Sequence, residues 1–369
     1  MFDRRLVENI DFKLILVVCA LFLVGVINLY SASAYRFEQG INVTPFFIKQ
    51  IIWGCIGFLG FLFIILFDYR HLKYFAWYLY FASICSLLLV FWIGKVVYGA
   101  RRWIDLGFFN FQPSELAKIS TIILVAYLLS KYEDVINKKV LYKISFLVFI
   151  PFFLIIKQPD LGTAILLLAS IGGMVFYKGI QRSIAKILIF FIPVVLPVSW
   201  FCLHDYQKER ILNFLDPSRD PLGAGYHIIQ SQIAIGSGRF WGKGFLAGSQ
   251  SQLRFLPEKH TDFAFAVFAE EWGFVGAIFL LFLFCFFLYQ MLQIAFQAKD
   301  RFGRYLVIGI FFYFLIQIVI NMGMVLGLMP VVGVPLPFIS YGGTSLVINF
   351  ILVGLVINVG MRRFIFKNV

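Results

Sequence analysis

The stretch Gly248-Ser-Gln-Ser-Gln-Leu-Arg-Phe-Leu-Pro-Glu-Lys-His-Thr-Asp262 carries Arg254, Lys259, His260 and Asp262 directly ahead of a long apolar run. A carboxylate in such a place is ordinarily a helix N-cap. Crowded by cations at a membrane surface, it also suits binding of polar head groups or service as a general base. A second group is Arg101 and Arg102, in Gly99-Ala-Arg-Arg-Trp-Ile-Asp-Leu-Gly107, followed by Gln112-Pro113-Ser114-Glu115 and then Lys118. Pro113 fits a first helical position and Glu115 the first turn, with Lys118 one turn on along the same face. The bland reading is a capped helix with one snorkelling ion pair. The functional reading is a cationic pocket for a pyrophosphate, because each charge in an apolar region costs about 2.5–3.5 kcal/mol on insertion scales. Asp160, in Lys157-Gln-Pro-Asp160-Leu-Gly-Thr163, reads as an N-cap with a polar contact to substrate open to it.

Other constellations carry less. Gly236-Ser-Gly-Arg-Phe-Trp-Gly-Lys-Gly244 fails as a P-loop, since Gly242-Lys243 is followed by Gly244 and position 237 is Ser. A glycine-permissive turn and an anion nest remain its two readings. No Asp-x-Asp occurs, so metal-dependent nucleotide-sugar transfer has no support. The five cysteines and four histidines show no metal-ligand spacing and no disulfide framework. No resident cofactor is expected, and a divalent cation at the pyrophosphate is left open.

These residues must be positioned by a membrane bundle. The chain of 369 residues is 61% apolar and 14% charged, with mean hydropathy +0.89. Soluble domains run about 45–50% apolar and about 25% charged, so a water-soluble fold is excluded. The net charge of +13 reads as a cytoplasmic-face bias and not as a nucleic-acid footprint. Apolar runs fall at about 12–34, 46–67, 72–94, 113–130, 142–157, 161–177, 184–203, 263–289, 303–329 and 341–361. The expectation is therefore an all-α polytopic protein, one domain over 1–369, with ten spans and one large structured outer loop over 204–262. Leu14 to Tyr30 exceeds a signal-peptide core of about 7–15 residues and reads as an uncleaved span. Eighteen of the 32 Lys and Arg fall in the termini and loops of one side, which makes both termini cytoplasmic.

Several features suggest a water-filled site among the spans. Span 4, Pro113 to Leu129, is about 25 Å of helix against a hydrocarbon core of about 30 Å. Span 5 is also short and holds Pro151, and span 7 holds Pro193 and Pro197. Pro330 to Gly343 is apolar yet cannot be regular helix, so it must be buried or line a cavity. Tyr226 to Ile235 is expected as an interfacial helix lying on the bilayer. Trp272 to Tyr289 nearly crosses alone, which sets Glu270 and Glu271 near the outer interface.

Five motifs in order resemble the SEDS family (shape, elongation, division and sporulation), on its elongation branch more than its division branch. They are Arg101 to Gly107, Gln112 to Lys118, Gln158 to Thr163, Gly248 to Phe263 and Pro335-Leu-Pro-Phe-Ile-Ser-Tyr-Gly-Gly343, and the resemblance as a whole covers the chain from span 1 to span 10. The resemblance implies a peptidoglycan glycosyltransferase in the bacterial cytoplasmic membrane, polymerising lipid II beside a class B penicillin-binding protein docked on spans 8 and 9. It makes Asp262 the essential catalytic residue. It also places Glu115 and Lys118 at central-cavity positions important for activity; with them, Arg101, Arg102, Trp103, Asp160, Arg254, Lys259, His260, Ser340 and Tyr341 make up the substrate-binding candidates. A lipid II flippase and a non-catalytic scaffold for a transpeptidase are the alternatives. Flipping would survive loss of Asp262, and a scaffold would tolerate neutral replacements in the cavity.

Overall fold

The computed structural model describes residues 8–33, 44–97, 100–105, 107, 110–133, 135–183, 186, 200–201, 205–220, 223–253, 255–256 and 258–363. Almost all of expected span 7, and Arg254, lie outside the described residues. Within them, nine helices are long and apolar enough to cross a membrane. These are α1 (Phe12–Ser33), α2 (Phe46–Leu66), α3 (Leu72–Ile93, extended by the 3-10 turn Tyr69–His71), α4 (Pro113–Ser130), α5 (Lys138–Lys157) and α6 (Leu161–Lys178). Three shorter helices follow, α7 (Asp205–Leu215), α8 (Ala224–Ser237) and α9 (Ser249–Gln252). The last spans are α10 (Ala264–Gln297), α11 (Arg301–Val325) and α12 (Gly343–Met361).

The bundle is sorted by burial. In α4 and α12, 83% of the membrane-crossing stretch is buried, against 28% in α2 and α3. The two interior helices are short, at 18 and 19 residues, and protein surrounds their charged or irregular ends. Helix ends follow local chemistry. Pro113 sits in the first turn of α4, while Asn137 and Asp300 cap α5 and α11 by accepting from Val140 N and Gly303 N.

Four expectations are corrected. Span 5 is not short: the Asn137 cap starts α5 four residues before the apolar run, and Pro151 lies inside a continuous helix. Residues 95–111 are not a plain loop but a small antiparallel sheet, β1 (Lys95–Val97), β2 (Ala100–Asp105) and β3 (Asn110–Phe111), in the order β1-β2-β3. The helix expected around 226–235 exists, but Ile228, Ser231 and Ala234 form its buried stripe against α10 and α11, so it is seated on protein. Ser231 Oγ donates to Val325 O at 2.9 Å.

The fourth concerns span 8. It runs to Gln297 and breaks at Gly273 (φ 63°, ψ −161°). The break exposes backbone groups that a helix would pair, and the loop 239–244 pairs them. Lys243 N and Gly244 N donate to the Glu270 and Glu271 carbonyls at 3.1 and 3.0 Å. Phe274 N and Val275 N donate to the Arg239 and Phe240 carbonyls at 2.9 and 3.2 Å. Gly242 (φ +82°) must be glycine here, because a Cβ would collide with the Glu271 carbonyl. The glycine-rich stretch that fails as a P-loop is thus a docking turn. Its Lys243 and Gly244 amides are spent on these carbonyls, and its Gly242 amide on the Gly238 carbonyl.

Candidate functional site

The starts of α4, α6, α10 and α12 and the end of α11 meet at one end of the bundle, and Asp262 stands among them. It does not cap α10: among the described residues no side chain accepts from that helix's first amides. What holds it is its backbone. Asn321 Nδ2, fully buried near the end of α11, donates to the Asp262 carbonyl at 3.0 Å and to the Val334 carbonyl at 2.8 Å. One amide therefore ties the acidic turn to the irregular segment 330–342. Gly333 (φ +73°) lies under the carboxylate, where a Cβ would come within 3.5 Å of Asp262 Oδ2.

Asp262 is only half-buried, yet desolvation pushes its carboxyl up to about 6. The negative charges of Glu258 and Asp160 push the same way, and Arg210 opposes them. A carboxyl at that value is ionised at neutral pH but close enough to its midpoint to take a proton readily.

Asp160 is the N-cap expected of it, and it also links two helices. Its Oδ1 accepts from Thr163 N at 3.2 Å as an N-cap, and its Oδ2 accepts from Gln112 Nε2 at 3.2 Å, joining the starts of α6 and α4. Arg102 Nη1 stands 3.9 Å from Asp160 Oδ1, while its Nε donates to the Gln158 carbonyl at 3.0 Å and its Nη2 to the Pro159 carbonyl. Arg102 therefore belongs to this cluster. Arg101 does not share these contacts: it alternates to an exposed position on β2 and donates to the Phe91 carbonyl at 3.2 Å. Trp103 pairs across the sheet with Lys95.

Glu115 and Lys118 form a dry pair one turn inside α4, 2.7 Å apart, with side chains 6% and 3% exposed. They do not snorkel. Lys118 Nζ lies 5.1 Å from the Tyr313 ring centroid, and Glu115 Oε2 is buried without a hydrogen-bond partner. Tyr313, Gln317 and Asn321, all buried and four residues apart on α11, run from this pair towards Asp262.

The remaining candidates frame the acidic turn. Tyr341 N donates to the His260 carbonyl at 2.8 Å, and the His260 ring stacks on Phe46 at 3.9 Å between centroids. Ser340 Oγ accepts from Leu336 N at 2.9 Å and closes the segment's last turn. Lys259 is buried, and its Nζ donates to the Ser251 carbonyl. Sequence reasoning missed Arg210, Glu258 and Asn321 as neighbours of Asp262. Arg210 sits in the ordinary polar run of α7, and a lone Asn inside an apolar span is the only signal for Asn321.

Fold and site define the class: a polytopic helical membrane protein with a carboxylate-bearing polar cluster at one end of its bundle. Comparison supplies the family. The FtsW/RodA/SpoVE cell cycle protein model matches residues 12–364, and the chain belongs to that family. It is 40% identical to the peptidoglycan glycosyltransferase MrdB of Escherichia coli K12 over 358 residues, covering 96% of this chain and 94% of that one. It is 32% identical to the peptidoglycan glycosyltransferase RodA of Treponema pallidum, covering 97% and 99%. Among solved structures it matches a chain from a peptidoglycan synthase complex, described as coordinating polymerization and crosslinking. That match has TM-score 0.82 and 32% identity, over 96% of this chain and 98% of that one. It also matches the rod shape determining protein RodA of Thermus thermophilus, with TM-score 0.71 and 28% identity over 97% and 98%.

Proposed function

We propose that this protein is a peptidoglycan glycosyltransferase that polymerises lipid II into β-1,4 glycan at the outer face of the bacterial cytoplasmic membrane during elongation. Both termini are cytoplasmic in this reading, and a class B penicillin-binding protein is its crosslinking partner. The observation that carries it is Asp262, an acid raised to about 6 and fixed by Asn321 where four helix starts meet.

Asp262 takes the proton from the 4-hydroxyl of the acceptor N-acetylglucosamine. The oxygen attacks the donor's anomeric carbon, the α-linked bond to undecaprenyl pyrophosphate breaks, and the new linkage is β. A single inverting step needs one base, worth about 10²–10⁴-fold, and stabilisation of the departing charge. Arg102 is the arginine set beside Asp160 and the site, so it serves the pyrophosphate better than Arg101 does. Lys118 acts from below through its pair with Glu115.

The test is purified full-length protein, with and without its transpeptidase, given labelled lipid II. Asp262→Asn abolishes polymer while the protein stays folded and still binds its partner. Polymer at the wild-type rate from that variant would overturn the assignment.

A further inference from the structure

Glu270 and Glu271 are charges that the proposed chemistry leaves unused, and both are fully buried at the outer end of α10. Glu271 accepts from Ser31 Oγ and so ties α10 to α1. Glu270 is more heavily engaged. Its Oε1 accepts from Lys243 Nζ at 2.8 Å, Gln250 N at 2.9 Å and Ser249 Oγ at 3.4 Å, and its Oε2 accepts from Ser251 N at 3.1 Å. The two amides are ones that the short turn of α9 cannot pair internally. Lys243 comes from the loop docked at the Gly273 break. A Cβ at Gly248 would press on Ser251 Oγ and the Glu270 carboxylate, so the fit leaves no slack.

The tie continues to the acidic turn. Ser251 offers its N–H to Glu270 and its carbonyl to Lys259 Nζ, and Lys259 lies three residues before Asp262. A rigid point on α10 is thereby joined, through the backbone of the single residue Ser251, to the segment that carries the base. From this geometry we infer that Glu270 is a positioning residue: it anchors the outer segment 243–252 to α10 and, through Ser251 and Lys259, sets where Asp262 stands. The inference rests on Asp262 being the base. A merely stabilising role would instead loosen the whole bundle, which hydrogen exchange reads separately from the acidic turn.

The experiment uses full-length protein in nanodiscs with labelled lipid II, alongside amide hydrogen exchange. Glu270→Gln keeps the side-chain shape but turns an amide N–H₂ towards backbone donors and releases Lys243. A displacement of about 1 Å at a reacting group can cost about 10²-fold in rate, so kcat should fall about 10–100-fold. KM should hold, because Glu270 touches no substrate. Exchange should quicken at Gln250 and Ser251 and across 259–262, and elsewhere stay as in the wild type. Lys243→Met, which leaves the carboxylate in place, should show the same split more weakly. Wild-type kcat in Glu270→Gln overturns the inference, as does faster exchange throughout the bundle. Unchanged exchange at 259–262 overturns it also when read without any activity. Absence of polymer from the wild-type protein itself would instead strike at the reading of Asp262.

Discussion

At the scale of single residues, three carboxylates towards one end of the bundle do three different jobs, and their surroundings decide which. Asp160 is engaged by Thr163 N, Gln112 and Arg102, and Glu270 by Lys243 and two amides. Both carboxylates are occupied in holding neighbouring segments together. Asp262 is held by its carbonyl instead, so its carboxylate stays available. Its pH behaviour follows with a definite sign. Burial raises the folded value from 3.8 to about 6, so the folded protein binds more protons than the unfolded chain between those values. Ionising Asp262 therefore costs stability as pH rises through that window, while the ionised form is the working base. Polymerisation kcat/KM should climb as pH passes about 6 and level above it. Glu258→Gln removes the leading negative neighbour and should move the midpoint to lower pH. Arg210→Gln should move it higher. Stopped-time assays across a pH series check both, and a midpoint indifferent to both changes would refute the electrostatic account.

At the scale of elements, the broken helix α10 explains how a site can be rigid while its backbone is irregular. A break inside a span leaves polar groups that lipid cannot satisfy, and here the loop 239–244 supplies four backbone hydrogen bonds. The break was illegible in the sequence, because Gly273 sits in an apolar run where glycine is routinely tolerated in spans. The same holds for β2. Alternation places Arg101 out and Arg102 towards Asp160, but adjacent arginines in a short loop give no sign of which is which. Gly273→Ala puts a Cβ against the Gly242 amide at positive φ, a strain of about 1–3 kcal/mol for the backbone alone. It should lower the unfolding temperature in detergent and expose the 239–244 loop to protease. A variant with wild-type melting and wild-type cleavage would mean that the loop is held by something else.

For the whole molecule, what the sequence revealed and what it hid divide along one physical line. Long apolar runs disclose spans because lipid imposes length and composition on each one separately. Thus nine of the expected spans have helices among the described residues. Meetings between spans are tertiary facts, and local spacing says nothing of Asn321 reaching Asp262 or of Tyr313 packing over Lys118. Glu115 and Lys118 show the difference: their spacing predicts a pair, but only the packed interior makes it dry. That dryness yields the last prediction. Removing one partner leaves an uncompensated buried charge, so Glu115→Gln or Lys118→Met alone should each cost about 3–5 kcal/mol of stability. The double variant leaves no charge behind and should lose much less than the two losses combined, as read by denaturant unfolding in micelles. If the pair only stabilised the bundle, the double variant would polymerise lipid II normally. Because Lys118 is assigned to the departing pyrophosphate, stability should return without activity, and full activity in the stable double variant would remove Lys118 from the mechanism.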